Sequence, residues 1–171
     1  MARNVEIKAR VTDFSSIRAQ LARLDGRKVH ELVQVDTFFN APSGRLKLRE
    51  FGDGTAELIL YHRADQSGPK LSDYERVACE NPKELGRALA KVLGIRGVVR
   101  KKRQVTLIDR TRVHLDEVEG LGSFVELEVV LHDEEPTSVG EQVARDLLGK
   151  LGIPESCLLP VAYIDLMEDP E

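Results

Sequence analysis

Charged and polar residues alternate with apolar ones along several segments that otherwise read as β-strands. Asn4, Glu6, Lys8 and Arg10 are interleaved with Val5, Ile7, Ala9 and Val11. Arg45, Lys47 and Arg49 flank Leu46 and Leu48, and Glu126 and Glu128 sit among Val125, Leu127 and Val129. Successive side chains of a strand point to opposite faces, so each segment has one apolar and one polar or ionisable face. One such strand is an ordinary solvated strand. Several of them, carrying both signs and with acids near both chain ends, imply a shared polar interior. There Arg and Lys would hold an anion, and Glu and Asp a hard cation.

Turn and cap signals divide the chain into alternating elements. Strands are expected at 4–11, 28–39, 45–51, 55–63, 72–79, 97–108, 111–118 and 122–131. Asp13 is placed to cap a helix that carries Phe14, Ile17, Leu21 and Leu24 on one face and stops at Gly26. Asn81-Pro82 opens a second helix that runs to Leu93 and ends at Gly94. Ser138 and Glu141 have capping-box spacing for a third. The loop Ala64–Pro69 is polar, and a tail over Val161–Leu166 docks on the body. Connections of the hairpin kind imply an antiparallel sheet. The expected fold is α+β: a closed or nearly closed eight-stranded antiparallel β-barrel with flanking helices.

Composition narrows the functions. At 171 residues and 42% hydrophobic content the chain reads as one domain, 1–171, with a sizeable core. A net charge of −4 argues against a general nucleic-acid or membrane-surface binder. The lack of Trp argues against a base-stacking platform. No apolar signal region or membrane-length run is present, and Cys79 and Cys157 lie far apart, so a cytoplasmic protein with reduced thiols is expected. Walker-type glycine loops, Ser/His/Asp patterns and CxxC pairs are absent from the sequence.

Two constellations remain. The acids Glu6, Asp116, Glu126 and Glu128 suit Mg²⁺ or another hard dication, which takes carboxylate oxygens and shares its shell with phosphate. The bases Lys8, Arg10, Arg45, Lys47, Arg49, Arg63, Lys101, Arg103 and Arg112 suit a polyphosphate, which needs several cations from different strands. The plainer alternative for either set is a solvated strand face with structural ion pairs. His114 shares a strand face with Asp116 and could assist proton transfer or make a structural hydrogen bond.

The same residues carry a resemblance to a family. Val5–Arg10, Gln34–Phe39 followed by Arg45–Arg49, Val99–Arg103, and above all His114–Glu128 (HLDEVEGLGSFVELE) resemble the CYTH family, the triphosphate tunnel metalloenzymes. The pattern is most similar to bacterial class IV adenylate cyclase-like members. The resemblance implies a triphosphate held in the tunnel with Mg²⁺ or Mn²⁺, the triphosphate being ATP, thiamine triphosphate or tripolyphosphate. It implies metal ligation by Glu6, Glu126 and Glu128, with Asp116 in or near that shell. Phosphate contacts fall to Arg45, Lys47, Arg49, Arg63 and Arg112, and the catalytic cations are Lys8, Lys101 and Arg103. Homodimers occur in the family. One departure stands out: the family opens Glu-x-Glu-x-Lys, and this chain reads Asn4-Val5-Glu6-Ile7-Lys8.

Overall fold

The computed structural model describes residues 2–66 and 68–168. Along the chain lie β1 (Ala2–Val11), α1 (Ser15–Arg23), β2 (Arg27–Phe39), β3 (Arg45–Phe51), β4 (Ala56–Arg63) and β5 (Lys70–Ala78). They are followed by α2 (Pro82–Leu93), β6 (Ile95–Ile108), β7 (Thr111–Val118), β8 (Gly122–Val130), α3 (Thr137–Lys150) and α4 (Tyr163–Glu168). The strands close into a barrel in the order β1-β5-β4-β3-β2-β6-β7-β8, with β8 returning to β1. Every pairing is antiparallel. Closure gives every strand a neighbour on both sides, although residues 27–33 of β2 pair only with β6 and residues 75–78 of β5 only with β4.

The alternation decides which way the barrel is turned. Val5, Ile7, Val113, Leu115, Val125, Leu127 and Val129 are all at most 2% exposed and form the main core with Ile17 and Leu21 of α1 and Ala144, Leu147 and Leu148 of α3. This core lies between the barrel wall and the helices, so the intervening polar residues must point into the barrel. A smaller cluster packs Leu85 and Leu89 of α2 over Phe39, Leu48 and Ala56. A third joins Tyr163 and Ile164 of α4 to Phe38, Val99, Val118 and Phe124. Each large side chain so buried contributes about 1.5–3 kcal/mol.

The expected fold is the observed one, with local differences. Asp13 Oδ1 accepts the Ser15 N–H at 2.7 Å, but Asp13 lies one residue before the cap position, which Phe14 fills without a side-chain bond. Asn81 makes no side-chain cap bond, and Pro82, whose missing N–H leaves one fewer donor to satisfy, opens α2 without it. Gly94 ends α2 at φ 78°, where a side chain would be strained. Ser138 falls inside α3, which begins at Thr137 behind Pro136. The tail is helical, and it docks so closely that a Cβ on Gly97 would come 2.5 Å from Ile164 Cδ1. Cys79 and Cys157 are free thiols. No helix among the described residues is long and apolar enough to cross a membrane.

Candidate functional site

The barrel encloses a cavity of about 330 Å³, within the range of small-molecule sites. Exposed His30 and Arg76 mark its open mouth, and buried Phe38, Val99, Ala162 and Tyr163 line its deep end. Lys70 helps to fix that end. It is 1% exposed, and its Nζ donates to the carbonyls of Gln66 (3.0 Å), Leu159 (3.4 Å) and Pro160 (2.7 Å), tying β5 to the segment before α4.

One wall is basic and is built on β2, β3 and β6. At its centre stands Asp36, buried and hydrogen-bonded by Arg49 through both Nε and Nη2 at 2.7 Å. Lys47 Nζ lies 2.9 Å and Lys101 Nζ 3.8 Å from the same carboxylate. Burial pushes the Asp36 carboxyl up, but Lys47, Arg49 and Lys101 outweigh it and hold the group well below the usual range. The lysines shift the other way. Burial and the charge of Arg49 bring Lys47 down to about 8, and burial with Arg103 lowers Lys101 strongly. One carboxylate therefore holds three cations that would otherwise repel one another.

The facing wall, from β1, β7 and β8, is acidic. Register places Glu6 opposite Glu128, and His114 opposite Glu126. Glu126 Oε2 meets Lys8 Nζ at 3.1 Å, Glu128 Oε2 accepts from Arg112 Nε at 2.8 Å, and Glu6 Oε2 accepts from Arg63 Nη1 at 3.3 Å. Burial, then repulsion by Glu126 and Glu128, raises the Glu6 carboxyl. Burial also pushes Glu126 up, but Lys8, His114 and Arg103 pull it well below the usual range. The wall ends at Asp116, fully buried behind Arg103. Arg103 Nε and Nη2 each donate to Asp116 at 2.7 Å, and Tyr163 Oη donates to Oδ2 at 2.7 Å. Tyr163 also presents its ring to Lys8 Nζ at 3.9 Å, a cation–π contact.

A profile of the CYTH domain matches residues 2–163. The chain belongs to the CYTH family. The CYTH protein is 28% identical over 176 residues to a protein of Methanocaldococcus jannaschii provisionally named an adenylate cyclase, covering 95% of this chain and 97% of the relative. It is 26% identical over 174 residues to adenylate cyclase CyaB of Aeromonas hydrophila, covering 96% of this chain and 88% of that one. Its fold superposes on the PH1012 protein of Pyrococcus horikoshii with a TM-score of 0.86, at 23% identity and with 95% of this chain and 98% of that chain covered.

Of the residues singled out from the sequence, Glu6, Lys8, Lys47, Arg49, Arg63, Lys101, Arg103, Arg112, His114, Glu126 and Glu128 all line the CYTH tunnel. Asp116 does not, because both its oxygens are engaged by Arg103 and Tyr163. Arg45 shares the face of Lys47 but sits beyond the deep end, bonded to Asp65 at 2.8 Å and Asp165 at 3.0 Å. Arg10 is exposed and donates to the Leu121 carbonyl. Asp36 and Tyr163 were not singled out. Asp36 had a legible signal, since parity with Gln34 and Phe38 puts an acid on the tunnel face of β2; Tyr163 had none, because its place depends on how the tail docks.

The donor set fits a divalent cation. Glu126, Glu128 and His114 bring ligand atoms within 4.8 Å of one another, and Glu6, opposite Glu128 across β1 and β8, carries a raised pKa that a cation would relieve. Asn4, 1% exposed on the tunnel face, has an Oδ1 without a hydrogen-bond partner among the described residues. Such an orphaned oxygen is costly unless a ligand meets it.

The lysines imply opposite pH effects on binding and stability. Below about pH 8 Lys47 is charged, and above it the group turns neutral in the free fold. Tripolyphosphate affinity should therefore fall as pH rises from 8 toward 10.5. Over that window the unfolded chain binds protons that the fold does not, so Lys47 and Lys70, also near 8, raise the stability of the free protein. Calorimetric affinity and Tm measured across that window should move in opposite directions; affinity that stays flat would contradict the assignment of Lys47 to the anion.

Proposed function

We propose that this CYTH protein is a metal-dependent enzyme that holds a nucleoside or inorganic triphosphate in its tunnel and cleaves a phosphoanhydride bond. The observation that carries the reading is the enclosure of two opposed ionic walls in one cavity: Lys47, Arg49 and Lys101 around Asp36, and Glu6, Glu126 and Glu128 across from them. A purely structural lining would satisfy its buried polar atoms. Here Arg63 Nε and Nη2, Gln34 Oε1 and Asn4 Oδ1 have no partner among the described residues, and a ligand with both donors and acceptors in its shell would satisfy them.

In this reading Lys47, Arg49, Lys101 and Arg103 grip the non-bridging oxygens, Arg by its fork and Lys as a point charge. Glu6, Glu126 and Glu128 would hold Mg²⁺ or Mn²⁺, with Asn4 Oδ1 beside them. The metal supplies a Lewis-acid charge that polarises phosphoryl oxygens. Lys8, Lys101 and Arg103 stabilise the negative charge that moves onto the leaving phosphate, so no protein nucleophile is required. Leu32, Phe51 and Ile59 also line the cavity, which opens at His30 and Arg76 and would seat an organic group attached to the triphosphate there.

Two reactions fit the arrangement. The ribose 3′-hydroxyl can attack the α-phosphorus, releasing pyrophosphate and leaving a cyclic nucleotide; the name adenylate cyclase, carried by both curated relatives, points this way. Water can instead attack the terminal phosphorus and release orthophosphate. ATP, thiamine triphosphate and tripolyphosphate, each with Mg²⁺ and Mn²⁺, separate them when cyclic nucleotide, pyrophosphate and orthophosphate are followed together. No product from any pair would contradict the enzyme reading.

Asn4 favours a second reading, a polyphosphate or nucleotide binding module with little turnover. An amide gives a cation less attraction than the family's carboxylate and cannot act as a base. Asn4→Glu should then raise turnover at saturating Mn²⁺ by about tenfold, since residues around a metal commonly carry effects of 10–100-fold. Strong wild-type turnover with no gain in the variant would mean that Glu6, Glu126 and Glu128 suffice.

A further inference from the structure

His114 has no place in the reading above, yet it is built into the acidic wall. It is 4% exposed, and its two ring nitrogens face two different carboxylates. Nδ1 lies 3.4 Å from Glu126 Oε1, and Nε2 lies 3.8 Å from Glu128 Oε2. Both separations exceed the 2.7–3.2 Å of an ordinary N–H···O bond. The ring thus fills the space between the carboxylates without a good hydrogen bond to either. Ligand atoms of His114, Glu126 and Glu128 lie within 4.8 Å of one another. Asn4 Oδ1, buried and unpartnered, lies on the adjacent strand one inward position from Glu6.

We propose that His114 is a nitrogen ligand of the tunnel metal, through Nε2, and that it makes the site select Mn²⁺ or a neighbouring transition-metal dication over Mg²⁺. The inference rests on the metal-dependent reading of the tunnel and specifies which ion it takes. Two points of chemistry support it. Mg²⁺ is hard, takes oxygen ligands and keeps its waters, whereas imidazole suits first-row transition ions. A histidine bound to a metal through one ring nitrogen nearly always donates its other N–H to a carboxylate or carbonyl. His114 has that arrangement ready: with Nε2 turned to the ion beside Glu128, Nδ1–H faces Glu126. The competing account makes the imidazole a spacer that keeps Glu126 and Glu128 apart and never bonds to the ion.

Pulsed electron paramagnetic resonance on the wild-type protein with MnCl₂, alone and with tripolyphosphate, separates the two accounts. Modulation from a directly bonded imidazole nitrogen is expected, and it should vanish in His114→Gln. Competition of Mg²⁺ against bound Mn²⁺, read from the free Mn²⁺ signal, should show the Mn²⁺ preference falling by about tenfold in His114→Gln while Mg²⁺ binding is nearly unchanged. Bound Mn²⁺ without nitrogen coupling in the wild type overturns the inference and leaves the metal-dependent reading intact, and this observation does not depend on the variant folding. If no Mn²⁺ binds even with tripolyphosphate present, both fail together.

Discussion

Asp116→Asn lowers the unfolding free energy of the ligand-free protein by about 3–5 kcal/mol, the cost of leaving a buried charge without its partner. In a chain of this size that is a fall in Tm on the order of 10 °C. The expectation follows from where the carboxylate sits. Asp116 is fully buried, takes two 2.7 Å bonds from Arg103 and a third from Tyr163, and so joins β6, β7 and α4 at one point. The amide keeps the shape but removes the charge that opposes the Arg103 guanidinium. Thermal unfolding of the variant checks it. A loss of less than a degree or two would mean that Arg103 finds equal compensation from Glu126, 3.4 Å away.

Arg49→Ala is expected to weaken tripolyphosphate binding by about 2–5 kcal/mol, the usual result of removing one member of a buried charged contact. That corresponds to roughly thirtyfold or more in Kd. Lys47→Ala should follow in the same direction. The free protein should tolerate both changes, because Asp36 keeps two of its three cationic neighbours in each case. Arg100→Ala and Lys102→Ala are the controls: both residues are exposed on the outer face of β6, between the inward Lys101 and Arg103. Equal losses at all four positions would contradict the strand parity on which the tunnel rests.

Parity made much of this legible, and its reach ends where depth and closure begin. A period of two assigns Lys47, Arg49, Lys101, Glu126 and Glu128 to one face each, and the barrel puts those faces inside. Parity gives the face and not the level along the barrel. Arg45 therefore shares a face with Lys47 yet lies past the deep end with Asp65 and Asp165, and Asp116 shares a face with His114 yet is sealed behind Arg103. The strand neighbours β1–β5, β2–β6 and β8–β1 have no turn to announce them, since they follow from the tilt and stagger that close a barrel. Tyr163 reaches the tunnel only because α4 packs on Phe38, Val99 and Phe124, a contact made far from its own sequence neighbourhood. Asp36 is the instructive omission. A lone acid among the neutral inward residues Leu32, Gln34 and Phe38 of β2 is the counter-ion that a cluster of cations requires.

Calorimetric titration of tripolyphosphate into the wild-type protein, with and without Mn²⁺, tests the central claim most directly. The opposed ionic walls predict one site per chain, tighter with the metal because Glu6, Glu126 and Glu128 are then no longer left to repel both one another and the anion. Absence of binding at millimolar tripolyphosphate under both conditions, or binding that the metal leaves unchanged and that Arg49→Ala does not weaken, would contradict it.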